Sequence, residues 1–402
     1  MRTIYHLILT ITLLSAVSSY GQVDSIRQTS LFVGYPNRIK QLDSLIQNAS
    51  SLALNTSDYQ QEFKTAFEPS QNTDSILTSV AVRYYTHLAF GNNPPKLEFN
   101  GAKFKMNAFD VPKLVKTYVE RDAMNSLVQY FTKSSKEVPL ILDSLKMNQR
   151  KTKPNVEKIQ ILQKAANDYR WLSAIRKTNR FILVNIPSAQ LKAYDSNKLI
   201  LSMRVIVGKA KTQTNTLSSQ INRVVLNPYW MVPKSIIQNE MFDKFKEDKT
   251  YFTKNGFTVI NSDYVNVDPI TIDIKKYSKD NFPFIVRQGT GLDNSLGLLK
   301  IEFDSPSAIY LHDTPEKDLF TNTNRFYSHG CIRMEKPIDI GKWLLQNNRI
   351  AIDTFDFKQP EKYNKPRPIP VTIPTQVVIW YSLIDFDKKG ALKFYKNIYT
   401  IN

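Results

Sequence analysis

The sequence predicts an α+β protein: an N-terminal helical domain, a mainly β domain carrying an inserted segment, and a C-terminal β-hairpin. Three observations predict this. Apolar residues recur at helical spacing as far as about Lys177 and at strand spacing after Asn179. A polar, Lys-rich stretch from Asn239 to Asp280 interrupts the strand pattern. Across 402 residues the 42% hydrophobic content is enough for more than one core.

Residues 1–21 read as a signal peptide. Arg2 precedes an apolar run over 4–17, and Ser19-Tyr20-Gly21 puts small residues before a cleavage site at Gln22. The run falls short of the ~20 residues that span a bilayer. The expectation is an exported, periplasmic, wall-associated protein and not an integral membrane protein. Residues 22–133 form the helical domain. Thr73-Asp74-Ser75 caps a helix through Ile76, Leu77, Val80, Tyr84 and Leu88 that stops near Gly91-Asn92-Asn93-Pro94. Asp110-Val111-Pro112 opens another. Residues 134–180 combine a basic linker around Lys151-Thr152-Lys153-Pro154 with an amphipathic helix carrying Ile159, Leu162, Ala165, Ala166, Tyr169 and Leu172.

The β domain covers 181–355, with strands over 181–186, 190–194, 199–207, 223–226, 298–303 and 308–312. Asp195-Ser196-Asn197 supplies a hairpin turn, and a short helix follows over 336–347. The insertion occupies about 237–285. Residues 356–402 are a C-terminal extension in which Pro366-Arg367-Pro368-Ile369-Pro370 is a stiff connector and Asp387-Lys388-Lys389-Gly390 turns the last hairpin.

Lys and Arg number 54 against 36 Asp and Glu, a net +18 that favours an anionic neighbour. The basic residues are spread out rather than gathered in one aromatic-interleaved stripe, which argues against nucleic acid. Twelve glycines argue against a Gly-rich nucleotide cradle. The lone cysteine, Cys331, rules out an internal disulfide. It sits in the polar, small-residue setting Ser328-His329-Gly330-Cys331, while His312 closes an apolar strand. A thiol needs a base, and a strand-end histidine can meet a cysteine across one loop. Two other readings compete: an inert buried thiol, and a zinc site built from His312, Asp313, His329 and Cys331. The two-residue step from His329 to Cys331 does not match paired ligands, so no metal is expected.

The run Tyr310-Leu311-His312-Asp313-Thr314-Pro315, then Arg325 and Ser328-His329-Gly330-Cys331-Ile332-Arg333, resembles the active-site signature of L,D-transpeptidases. Arg287-Gln288, Gly291, Asn294, Leu296-Gly297 and Lys300 are similar to the large Gram-negative branch of that family, as is the segment Asn227-Pro228-Tyr229-Trp230. The resemblance implies a helical scaffold domain, an L,D-transpeptidase catalytic domain and a capping lid insertion. It implies that Cys331 is the nucleophile and His312 the general base and acid. Asp313 would orient His312 through its carbonyl, and Tyr310 would offer its hydroxyl to the oxyanion beside the Cys331 amide, which Gly330 lets approach. Ser328, His329, Arg333 and Trp230 fall on the substrate side, with Arg333 holding a carboxylate or bracing the loop. No cofactor is implied. The implied partners are peptidoglycan stem peptides and acylating carbapenem-type β-lactams. One departure stands out: the space between Tyr130 and Ile159 is short for the peptidoglycan-binding module of larger members. The rival functions are an L,D-carboxypeptidase or hydrolase of the same fold and a catalytically silent wall-binding protein.

Overall fold

The computed structural model describes residues 30–69, 71–92 and 95–399. The signal-peptide reading falls on residues outside these. Among the described residues no helix is long and apolar enough to cross a membrane.

Helices α1 (Pro36–Gln47), α2 (Ser57–Thr65), α3 (Thr73–Phe90), α4 (Val111–Glu120) and α5 (Met124–Thr132) bury one core around Tyr59, Tyr84, Tyr85 and Phe131. The cap of α3 is Asn72, one residue before the expected triplet, and its side chain accepts from the Ser75 N–H at 3.1 Å. That frees the Asp74 carboxylate to accept from the Ser30 hydroxyl and the Phe32 and Val33 N–H groups at 2.5, 2.7 and 3.0 Å, which pins the preceding segment. His87 is a satisfied helix residue whose Nδ1 meets the Tyr59 hydroxyl at 2.7 Å.

The region read as a basic linker contains another helix, α6 (Glu137–Gln149), packed on α7 (Val156–Thr178). Val138, Ile141, Leu142 and Leu145 give it an apolar stripe at helical spacing, which the lysines just beyond obscure in the sequence. Glu137 and Arg176 join the two helices by paired contacts of 2.6 and 2.9 Å. Burial pushes the Glu137 carboxyl up, but Arg176 outweighs it and holds the group down at about 2. Glu137→Gln is expected to cost about 3 kcal/mol in chemical denaturation at pH 7, because it leaves a buried guanidinium without its anion. The contribution is complete above the ordinary carboxylate range and is lost as pH falls toward 2.

The main sheet is built from β1 (Phe99–Asn100), β2 (Arg180–Asn185), β3 (Gln190–Asp195), β4 (Lys198–Gly208) and β5 (Leu217–Leu226). The insertion adds β6 (Trp230–Met231), β7 (Phe257–Ile260), β8 (Asn266–Val267) and β9 (Ile285–Gln288). Then come β10 (Leu299–Phe303), β11 (Leu311–His312), β12 (Phe326–Ser328), β13 (Ile332–Met334), β14 (Arg367–Pro370) and β15 (Gln376–Trp380). Hydrogen bonding runs β5-β10-β11-β13-β4-β3-β2-β15, and β15 pairs back to β5, so the sheet is a closed ring. Its interior is lined by Ile182, Val184, Leu191, Val205, Leu226, Ile301, Leu311, Ile332 and Ile379.

The proline-rich connector is a strand: β14 pairs antiparallel with the second half of β5. Pro368 and Pro370 cannot donate, and they are tolerated because β14 is an edge strand. The insertion is a folded module. Its four strands run β6-β9-β7-β8 and cover Val286 and the aromatics Phe242, Phe245, Phe252 and Phe282, which the intervening lysines disguise in the sequence. Beyond β15, β16 (Ile384–Phe386) and β17 (Leu392–Phe394) form a hairpin. Asp387 caps its turn, accepting from the Lys389 and Ala391 N–H groups at 2.9 Å each.

Candidate active site

Strand alternation builds the site. Leu311 and Ile332 face the ring interior and are in register between the parallel strands β11 and β13. Their neighbours Tyr310, His312, Cys331 and Arg333 therefore share the opposite face. The ladder continues one step past β11, where the Ile332 N–H donates to the Tyr310 carbonyl at 3.1 Å and sets Cys331 beside Tyr310. His312 is in register with Arg333 on one side and with Lys300 of β10 on the other.

His312 is 5% exposed, and its Nδ1–H donates to the Asp313 carbonyl at 2.5 Å, which leaves Nε2 as the proton acceptor. Asp313 is held in turn: its carboxylate accepts from the Leu298 N–H at 2.9 Å and pairs with Lys317. Gly297 (φ +59) is needed where it stands, because a Cβ there would collide with the Asp313 side chain. Burial and the Arg333 charge, with Lys300 and Lys317, hold the imidazole down at about 3. It is a neutral base through the physiological range.

The cysteine loop is braced from inside. The Ser328 hydroxyl accepts from the Gly330 N–H at 3.1 Å and donates to the Cys331 carbonyl at 2.5 Å. Gly330 takes φ +112 and lies against the Gln213 carbonyl. Its own carbonyl accepts from the Thr214 hydroxyl at 2.8 Å. Tyr399 locks the supporting loop: its hydroxyl donates to the Gly208 carbonyl at 2.7 Å and accepts from the Thr214 N–H at 3.1 Å. Ser328 is spent within this turn.

Above the thiol, Trp230 and the Tyr310 hydroxyl lie close enough to one another and to the Cys331 sulfur to influence its protonation. Burial keeps the Tyr310 phenol protonated and thus a donor. The Lys300 ammonium sits 4.1 Å from the Tyr310 ring centroid. Burial pushes the Cys331 thiol above its ordinary value, against the pull of Tyr310, Lys300 and Arg333. Both shifts favour a resting pair of neutral thiol and neutral imidazole.

The remaining candidates meet acidic partners. Arg333 pairs with Glu316. The His329 Nε2 meets Glu240 of the insertion at 2.5 Å, joining the cysteine loop to the module above it. Glu240 lies in a π-turn over Ile237–Met241, a local widening of a helix that recurs at functional sites. Among the described residues no three His, Cys, Asp or Glu side chains gather as a metal site would need. Sequence reasoning gave no role to Glu240, Thr214 or Tyr399, which lie far from the motif in the chain, nor to Glu316, which directly follows Pro315. Alternation did offer a signal for Lys300, the polar residue flanked by Leu299 and Ile301.

Comparison with known proteins agrees with this arrangement. The family model of the L,D-transpeptidase catalytic domain matches residues 179–371, and that of a scaffold domain matches 30–137. A Haemophilus influenzae protein named "Putative L,D-transpeptidase" is 39% identical over 194 residues, 48% of this chain and 39% of that protein. The match thus spans about two-fifths of the relative's length. Among solved structures, an L,D-transpeptidase from Mycobacterium smegmatis overlays 50% of this chain and 58% of its own at 11% identity, TM-score 0.22. An Enterococcus faecium L,D-transpeptidase overlays 84% of this chain and all of its own, 100%, at 9% identity, TM-score 0.23. Such loose overlays add no weight to the two sequence matches.

Proposed function

We infer that this chain, whose residues 179–371 are an L,D-transpeptidase catalytic domain and whose residues 30–137 are its scaffold domain, cross-links peptidoglycan outside the cytoplasmic membrane through a Cys331 thioester. One observation carries the reading: Tyr310, His312, Cys331 and Arg333 share one face of adjacent strands, with the imidazole pinned by the Asp313 carbonyl. Cys331 attacks the carbonyl carbon of the third residue in a donor tetrapeptide stem while His312 Nε2 takes the thiol proton. The oxyanion forms against the Tyr310 hydroxyl and the Cys331 amide. The C–N bond breaks, and D-alanine leaves with the proton returned by His312. An amine from a second stem attacks the thioester, forms the new amide and restores the thiol, with no cofactor required. Lys300, Lys317 and Arg333, paired with Glu302, Asp313 and Glu316, line the rim that would receive the donor's terminal carboxylate. The same thiol is the expected point of acylation by a carbapenem-type β-lactam.

Incubating the protein with a disaccharide-tetrapeptide and reading products by mass spectrometry tests this. A cross-linked dimer with loss of D-alanine supports the transpeptidase. D-alanine loss without dimer makes it an L,D-carboxypeptidase, and untouched substrate together with an unlabelled thiol makes it a silent wall-binding protein.

Tyr310→Phe is expected to lower kcat/KM about 10²-fold with KM little changed, the effect of removing one oxyanion donor. An unchanged kcat would leave the amide as the oxyanion's sole support.

A further inference from the structure

A second cavity, separate from the thiol, opens where the scaffold, α7, the loop after β4 and the C-terminal extension meet. It measures about 930 Å³ and is lined by residues 53–56 and 95–98, by Gln163 and Asn167, by Gln213, Thr214 and Thr216, and by Trp380, Tyr381, Asn397 and Tyr399. Ligand clefts run from about 300 to 1,000 Å³, so this one is at the roomy end.

Its chemistry is amide, hydroxyl and aromatic. Asn55, Gln213 and Asn397 are exposed carboxamides contributed by three distant parts of the chain. Tyr381 and Tyr399 stand side by side, ring centroids 5.5 Å apart at 34°. The charges balance, two of each sign: Lys164 pairs with Asp168, and Lys96 offsets Glu98, which also accepts from the Asn215 amide and the Thr216 N–H. A lining with planar rings, side-chain amides and little net charge suits an uncharged ligand rich in hydroxyl and acetamido groups. It does not suit a stem peptide, whose carboxylates would meet no concentrated positive field.

We propose that this cleft binds the N-acetylated amino-sugar strand of the wall polymer. The proposal rests on the peptidoglycan reading above. It gives the chain a wall-recognition site apart from the thiol. The site is also wired to the nucleophile: Thr214 lines the cleft and donates to the Gly330 carbonyl, one residue before Cys331. A bound strand therefore rests on the layer that supports the catalytic loop.

Titrating the full-length Cys331→Ala protein with a chitin tetrasaccharide by calorimetry tests the cleft without turnover. Saturable binding is expected, weakened about tenfold or more in Asn55→Ala/Gln163→Ala, which removes two amides. Thr56→Trp, which fills the cleft from its wall, is expected to abolish binding even if loss of the Asn55 contact to Asp58 perturbs the first variant. Binding undiminished in both variants, or none at millimolar sugar, overturns the proposal. Competition by a sugar-free tetrapeptide for the same site overturns the glycan assignment. The transpeptidase reading is judged separately, by Cys331-dependent products from the tetrapeptide substrate.

Discussion

Cys331→Ser is expected to lower D-alanine release at least ~10³-fold and to abolish the mass adduct formed with a carbapenem, while the unfolding midpoint stays close to wild type. A neutral imidazole held near 3 is a weak base, and an alcohol gives up its proton to it far less readily than a thiol does. The substitution should leave the fold alone, because the sulfur's contact with the Ala308 carbonyl is long, at 3.8 Å. Retention of more than a tenth of the activity would move the nucleophile elsewhere in the chain.

The second large effect is expected at His312. His312→Gln should reduce acylation by about 10²- to 10⁴-fold, the range for loss of a positioned general base. The wild-type pH profile should carry an unusual signature. With the imidazole titrating near 3, kcat/KM should show no inflection near the ordinary histidine value. Burial raises the thiol above its ordinary value, so alkylation by iodoacetamide should climb through neutral pH toward an alkaline plateau. Thiolate is the reactive form, so the rate rises with pH. A plateau already reached by pH 7 would mean a preformed thiolate–imidazolium pair and would overturn this picture.

The site was legible in the sequence because its reactive groups are local. Residues 310–313 and 328–333 each carry their alternation and motif within a few positions, and pairing of β11 with β13 brings the two runs together. The Asp313 carbonyl, which the family resemblance implied, is the acceptor that the His312 Nδ1 meets. What sequence missed depends on distant partners. Thr214 and Tyr399 brace a glycine more than a hundred residues from the one and far upstream of the other, and nothing in either neighbourhood marks it. The insertion was read as a capping lid without a core of its own in view, because its phenylalanines are dispersed among lysines, although they converge in three dimensions. Helix α6 was hidden by the basic run beside it, and β14 by prolines that an interior strand would reject.

The closed ring has a consequence for how the chain acquires its reactivity. The α1–α5 core draws on a contiguous stretch between Leu31 and Phe131 and can consolidate early in synthesis. The catalytic sheet cannot. Its closing strand, β15, joins β2 to β5 from a position well past Cys331 in the chain. As the chain emerges, the cysteine is delivered before the strand that completes the sheet around it. Until then, β2 and β5 present unpaired edges on which another chain could template. Tyr399, which stabilises the loop under the nucleophile, arrives later still. Catalytic competence is thus the last thing this polypeptide gains, and loss of residues 376–399 would leave an open sheet with an unsupported thiol.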